Sequence, residues 1–325
     1  MLPQKKNTMK ILITGAAGFI GSHTAERLQK YGHEVIGLDN FSPYYSVDLK
    51  KINVDELNNN NIQFLECDLR EAISFKLLPK DFDVVIHFAA HPGISESSSF
   101  DDYFSNNVLG TKNLLDFVES CEKPPYFINI ATSSIYGAEA AFDETNTPKP
   151  TSYYGVTKLA AEQLVMAKVR LNVLKGCSLR LYSVYGPRER PDKLYTKLIA
   201  CGLKGEAFPL FQGSLEHLRS FTYVQDIVDG IVSVLGLMDI CNGEIINLGT
   251  EKENTTQAGI QIVEAILGKN IQINYLPSKR TGDQLRTRAV IDKARKLLNY
   301  NPKTNLKQGL EQQVAWYKAT FLKKV

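Results

Sequence analysis

The segment Ile11-Leu12-Ile13-Thr14-Gly15-Ala16-Ala17-Gly18-Phe19-Ile20-Gly21, continued by Ser22 to Lys30, decides how the chain is read. An apolar run of strand length meets three evenly spaced glycines, and the residues after them have helical spacing. Gly15 permits the tight turn, Gly18 lets backbone approach a pyrophosphate, and Gly21 lets helix and strand pack closely. The first N–H groups of the helix, at Phe19 and Ile20, then face the phosphates. A second apolar run, Glu34 to Leu38, ends at Asp39 and Asn40, about 20 residues further on, where a carboxylate can accept both hydroxyls of a ribose. The same carboxylate repels a 2′-phosphate, so the spacing favours NAD over NADP.

Outward from this loop, apolar runs alternate with helical patterns. Ile62 to Glu66, Val84 to Phe88, Tyr126 to Ala131 and Cys177 to Tyr182 continue the series, which predicts an α/β fold with a doubly wound parallel sheet of the Rossmann kind. The rhythm fails after Gly186, where Pro187, Arg188, Pro191 and Pro209 interrupt short pieces and Gln212 to Ser220 reads as a loop. Glu244 to Leu248 reads as a strand returning to the sheet, and Asn254 to Leu267 and Leu306 to Phe321 as amphipathic helices. The expected division is a cofactor domain over 9–183 with a returning segment at 222–250. A smaller α/β substrate lobe takes 184–221 and 251–325, and 1–8 form a disordered extension. Asn58 to Asn61 is a solvated turn.

The 325 residues are 43% hydrophobic and 22% charged, an ordinary globular composition. Thirty-eight Lys and Arg against 35 Asp and Glu leave a net charge of +3, too little for a nucleic-acid binder, so an anionic ligand must be met locally. Cys67, Cys121, Cys177, Cys201 and Cys241 are odd in number and contain no C-x-x-C pair, which suggests neither a disulfide framework nor a metal site and suits a reducing cytoplasm. No apolar run reaches the length of a membrane span, and export is not expected.

Tyr154-Gly155-Val156-Thr157-Lys158 sets a phenol and an ammonium one helical turn apart on one face. The ammonium is expected to pull the phenol of Tyr154 below its ordinary value near 10, as a general base at neutral pH requires. Tyr126 to Ala131 delivers Thr132, Ser133 and Ser134 at the carboxyl end of a strand, where active groups of such sheets gather.

The Gly-x-x-Gly-x-x-Gly spacing, the Tyr-x-x-x-Lys pair and several other segments resemble the extended short-chain dehydrogenase/reductases, and within them the NAD-dependent nucleotide-sugar epimerases. Cys67-Asp68-Leu69 is similar to the family's adenine-contacting segment, His87-Phe88-Ala89-Ala90 to the loop under the cofactor, and Asn107-Val108-Leu109-Gly110-Thr111 to its structural asparagine helix. The resemblance implies NAD as cofactor, a Thr132 hydroxyl on the C4 oxygen of a sugar, Tyr154 as acid/base, and Lys158 on the nicotinamide ribose. The related dehydratases carry Asp-Glu after that threonine and the decarboxylases Ser-Glu, whereas Ser133 and Ser134 stand here. Without a carboxyl for elimination, oxidation and re-reduction at C4, an epimerisation, is the most economical reaction.

Leu179 to Pro187, with Ser183, resembles the crossing into the substrate lobe, while Arg219 and the pair Arg280 and Asp283 resemble the groups that hold a nucleoside diphosphate. Tyr44 to Lys50 and Arg190-Pro191-Asp192 are most similar to UDP-glucuronate 4-epimerases, with Arg190 placed to meet a uronate carboxylate. Ser95 stands where that subfamily carries arginine, and Lys193 replaces its methionine, so UDP-glucose and UDP-N-acetylglucosamine stay open as substrates. Two further readings are a 4,6-dehydratase and a non-catalytic NAD sensor. The helices expected at Asn107 to Ser120 and Tyr153 to Leu171 carry more apolar positions than one core needs, which predicts a homodimer. The partners expected are thus a UDP-sugar and a second copy, with no nucleic acid and no membrane.

Overall fold

Seven parallel strands form the centre of the chain; apart from the half-exposed edge strand at 63–66 they are buried, and their near-continuous apolar runs are what such burial selects. A computed structural model describes residues 8–95, 97–277, 284 and 286–322. The strands are β1 (Lys10–Thr14), β2 (Glu34–Asp39), β3 (Gln63–Glu66), β4 (Val84–His87), β5 (Tyr126–Thr132), β6 (Gly176–Leu181) and β7 (Ile245–Leu248). They pair in the order β3-β2-β1-β4-β5-β6-β7, all in parallel register. The chain winds outward from β1 in one direction and then from β4 in the other, so the topology reverses between these two strands.

The helices that cover the faces begin with α1 (Phe19–Lys30), α2 (Val47–Asn59), α3 (Gly110–Glu119) and α4 (Tyr153–Arg170). The helix expected from Asn107 starts earlier than its apolar spacing suggested. Ser99 and Asp102 form a capping box, a helical turn spans Phe100–Tyr103, and a π-helical stretch, Phe104–Leu109, leads into α3. The wider turn disturbs the period of 3.6 on which the sequence reading relied. It leaves Asn107 turned inward, 1% exposed.

The smaller lobe packs α5 (Leu194–Lys204), α7 (Thr256–Leu267) and α9 (Leu306–Phe321) around Tyr185, Tyr195, Leu198, Val263 and Leu310. Between them, α6 (Val224–Ser233) returns to the larger lobe, where Arg27 of α1 pairs with Asp229 and donates to Gln225. The segment read as a loop, Gln212 to Ser220, holds a short helical turn at Ser214–Glu216 and a strand at Leu218–Arg219. That strand pairs with Asn254–Thr255 and with Arg286–Thr287. Two-residue ladders leave no periodicity to read, and this one also moves the start of α7 to Thr256, with the Thr255 hydroxyl capping it. Ala289, Ile291, Leu298 and Tyr300, on and beside α8 (Asp292–Leu298), lie in the core of the larger lobe although their position in the chain suggested the smaller one. All five cysteines are free and buried. Among the described residues no helix is long and apolar enough to cross a membrane.

One buried ion pair locks α4 to the sheet. Arg180 of β6 and Glu162 of α4 are 2% and 0% exposed, joined by Nη2 to Oε1 at 2.7 Å and Nε to Oε2 at 3.0 Å. Ser178 donates to the same carboxylate, and Arg180 also donates to the Tyr136 hydroxyl, which in turn donates to Asn247 of β7. Every charge here is matched, and removing one partner strands the other in a medium that solvates it poorly. Glu162→Ala is therefore expected to cost about 3–5 kcal/mol, read as a lower midpoint in urea unfolding.

Candidate active site

At the carboxyl edge of the sheet, β1 and β4 diverge around the glycine loop. Gly15 has φ +73°, and a Cβ there would lie 2.8 Å from the backbone nitrogen of Ala89, while one at Gly21 would lie 2.3 Å from the carbonyl of Gly15. Only glycine fits either position. Gly18 caps α1 in extended conformation with no side chain bonded to the helix start, and the first turn carries no acid. The N–H groups of Phe19, Ile20 and Gly21 and the positive end of the helix dipole are left for an anion in the cleft, which all three residues line.

Asp39, 8% exposed, sits where the sequence placed it. Its Oδ1 accepts from the backbone of Phe41 at 2.9 Å and from Lys50 Nζ at 3.4 Å. Asp68 closes the far side, accepting from Asn40 at 3.1 Å and from Arg70 at 2.6 Å. Burial works against its charge, but these donors hold its carboxyl below the ordinary range. Leu69, Ala89 and Ala90 complete the wall of a cleft of about 590 Å³. Asn107 does not join them. Its Oδ1 accepts from His91 N at 2.7 Å and its Nδ2 donates to Thr157 at 3.0 Å, so it clamps the His91 loop to α4 from behind. Loop, helix start and ribose-facing carboxylate together fit NAD.

The other end of the cleft gathers the expected catalytic groups. Thr132, Ser133 and Ser134 follow β5, with Thr132 Oγ1 accepting from Ser134 N at 3.2 Å and donating to Ser134 Oγ at 3.3 Å. Ser152 caps α4, which carries Tyr154 and Lys158 into the same space. Burial pushes Lys158 down to about 8, with Glu162 opposing. Tyr154 departs from expectation: its phenol is raised rather than lowered. Burial is the larger effect, because the enclosed phenolate loses hydration. Hydrogen bonding to Thr132 and the charge of Arg190 only partly offset it. The chain's own groups thus hold Tyr154 as a neutral phenol at pH 7.

Beside Tyr154 stands a group that periodicity could not assemble. Tyr103 lies with its ring centre 6.2 Å from that of Tyr154, and His91 is edge-on to both Tyr44 and Tyr103 at 4.5 and 4.8 Å. The Tyr103 hydroxyl donates to Gly93 O and accepts from Ser95 N, which pins the turn between them. Arg190 lies 5.2 Å over the ring of Tyr44 and donates to Pro92 O at 3.0 Å. A Cβ at Gly93 would come within 2.8 Å of its Nη2, so the glycine makes room for the guanidinium. In the sequence, His91 and Tyr103 carried no signal beyond their type. Ser183 and Arg219 line the cleft toward the smaller lobe. Arg280 and Asp283 lie outside the described residues.

Comparison with known proteins supplies the relationship. The sequence profile of the NAD dependent epimerase/dehydratase family matches residues 11–249. The chain belongs to that family. It is 36% identical over 320 residues to YtcB of Bacillus subtilis, described as an uncharacterized UDP-glucose epimerase, covering 96% of this chain and 99% of that one. UDP-glucuronate 4-epimerase 2 of Arabidopsis thaliana is 32% identical, covering 96% and 76%. The crystal structure of UDP-glucuronic acid 4-epimerase from Bacillus cereus with UDP-glucuronic acid and NAD superposes with a TM-score of 0.90 at 37% identity, covering 96% and 100%. This family member is therefore an NAD-dependent enzyme.

The buried ammonium of Lys158 is held at a cost in stability. Its proton is bound more weakly in the folded chain than in the unfolded one, so stability falls as pH drops from 10.5 toward 8 and stays reduced below that. In protein stripped of NAD, Lys158→Met is expected to raise stability at pH 7 by about 1–3 kcal/mol, measured by urea unfolding, while turnover is lost.

Proposed function

We propose that this enzyme is a UDP-glucuronate 4-epimerase. The reading rests on the guanidinium of Arg190 lining the same cleft as Tyr154, in a site whose threonine is followed by two serines rather than by a carboxyl group. A cation there suits an anionic C6 substituent on the sugar that Tyr154 acts on, and the absence of an acid at Ser133 and Ser134 leaves no group in that place for elimination. The similar proteins named for UDP-glucuronate support the same substrate.

NAD, held by the Gly15–Gly21 loop and Asp39, supplies the reversible two-electron oxidation of C4. The chain alone holds Tyr154 as a neutral phenol, so its own proton must leave first; as phenolate, Tyr154 would then take the proton of the C4 hydroxyl and later return it, with the Thr132 hydroxyl fixing the C4 oxygen in both directions. Ser133 and Ser134 give neutral donors that let the sugar turn without an acid to trap it in dehydration. Lys158 keeps a positive charge at the ribose side, which favours departure of the Tyr154 proton. The lobe of 9–183 and 222–250 takes the cofactor. The smaller lobe, built on α5, α7 and α9, takes the nucleotide, with Ser183 and Arg219 in the cleft and Arg280 and Asp283 assigned to the diphosphate and ribose by the resemblance alone. A second reading, a neutral UDP-hexose such as UDP-glucose, is favoured by one observation: Arg190 already has a counter-charge in Asp192.

Incubation with UDP-glucuronate is expected to yield UDP-galacturonate of unchanged mass, seen by proton NMR. Tyr154→Phe should lower turnover about 10²- to 10⁴-fold while UDP-sugar affinity is kept, and Thr132→Val should cost about 10²-fold. Loss of water from the product, or wild-type turnover by Tyr154→Phe, would refute the reading.

The working unit is proposed to be a homodimer in the cytoplasm, whose reducing conditions suit five buried free thiols. Phe100, Phe104, Leu109, Tyr153 and Val156 are 38–58% exposed on neighbouring helices, and Phe100 contacts both Phe104 and Tyr153. Such a patch is the kind that a second copy buries. Light scattering at micromolar concentration should give the mass of two chains, and Phe104→Glu combined with Val156→Glu should give that of one.

A further inference from the structure

The guanidinium of Arg190 is enclosed. Its side chain is 9% exposed, it lies over the ring of Tyr44, and its Nη1 donates to the neutral carbonyl of Pro92. A cation in such a place needs a counter-charge. Among the described residues the carboxylate that supplies it is Asp192, with Oδ2 at 3.1 Å from Nη2, and Asp192 itself is 46% exposed. The two residues stand one proline apart at the start of a turn closed by Lys193 N on Arg190 O, so Asp192 reaches the guanidinium from the solvent side without leaving the backbone course. One partner of the pair is fixed in the site, and the other has water at hand.

We propose that Asp192 is a specificity-determining residue, an internal carboxylate that occupies Arg190 until the carboxylate of a UDP-uronate displaces it. The inference rests on the reading of the site as one for UDP-sugars and deepens it. A sugar carboxylate brought to Arg190 puts two anions on one cation. Their repulsion is relieved by releasing the one that solvent can take up, and that is Asp192. A neutral hexose brings no such charge and leaves the Arg190–Asp192 pair intact, so it binds without stranding a bare guanidinium. Asp192 therefore narrows the preference of the site from both sides: it competes with the uronate, and it makes the neutral sugar tolerable.

The experiment is calorimetry on NAD-loaded protein in a Tyr154→Phe background, which stops turnover, with UDP-glucuronate, UDP-glucose and UDP as titrants. Asp192→Asn is expected to widen the ratio of uronate to hexose affinity about tenfold, the equivalent of one charge-assisted pair, with UDP affinity unchanged. Asp192→Glu, which keeps the carboxylate, is expected to restore the ratio of the parent. A ratio that stays constant or falls in Asp192→Asn would show that Asp192 only holds Arg190 in position and would overturn the proposal. So would a ratio in Asp192→Glu equal to that in Asp192→Asn, whether or not either variant binds UDP more weakly. Preference of the parent for UDP-glucose would instead refute the uronate reading, and the direction of change in Asp192→Asn would still decide the role of Asp192.

Discussion

The sheet reverses its winding between β1 and β4, so the chain leaving these two strands must part to opposite faces, and the space between them is the cleft. Everything functional is hung on that edge. The contact that keeps the edge tight is backbone on backbone: Gly15 against Ala89, and Gly21 of α1 against the Gly15 carbonyl, with no room for a Cβ at either place. A methyl group at Gly21 would lift α1 off the turn and carry its first N–H groups away from the cleft they line. The same closeness brings the Ala89–Ala90 wall within reach of a ligand seated on the glycine loop. Cofactor site and sheet packing are therefore one constraint.

Burial then sets the chemistry. It lowers the proton affinity of Lys158, leaves His87 neutral between Thr14 and Thr111 with its imidazole down to about 3, and raises the Tyr154 phenol. The cluster of Glu162, Arg180, Tyr136 and Asn247 behind α4 holds the helix that carries Tyr154 and Lys158, and Glu162 is also the carboxylate whose field supports the charge on Lys158. Arg190 differs from Arg180 in one respect. The partner of Arg180 is sealed in the core, whereas that of Arg190 opens to water. The first pair is architecture, and the second can be exchanged.

Several features were legible from residue order alone. Strand β1, the glycine turn, α1, Asp39 and the Tyr154–Lys158 pair are all encoded in short contiguous segments, because their geometry follows from backbone periodicity and from the steric freedom of glycine. The carboxyl end of β5 placed Thr132, Ser133 and Ser134 for the same reason. Tertiary structure alone decided what depends on groups far apart in the chain. The ionisation of Tyr154 followed enclosure rather than its helical neighbour, since loss of hydration outweighs the Thr132 hydrogen bond and the charge of Arg190. Asn107, on a π-helical turn, is bonded to His91 and Thr157 behind the cleft wall, a placement that apolar spacing did not encode. The end of the cleft where Tyr44, His91, Pro92, Tyr103 and Arg190 meet comes from three separate stretches whose contacts no local pattern encodes. Whether a buried charge keeps its partner is likewise a property of the packed molecule: Asp192 follows Arg190 by two residues in any conformation, but only the fold encloses one and leaves the other in water.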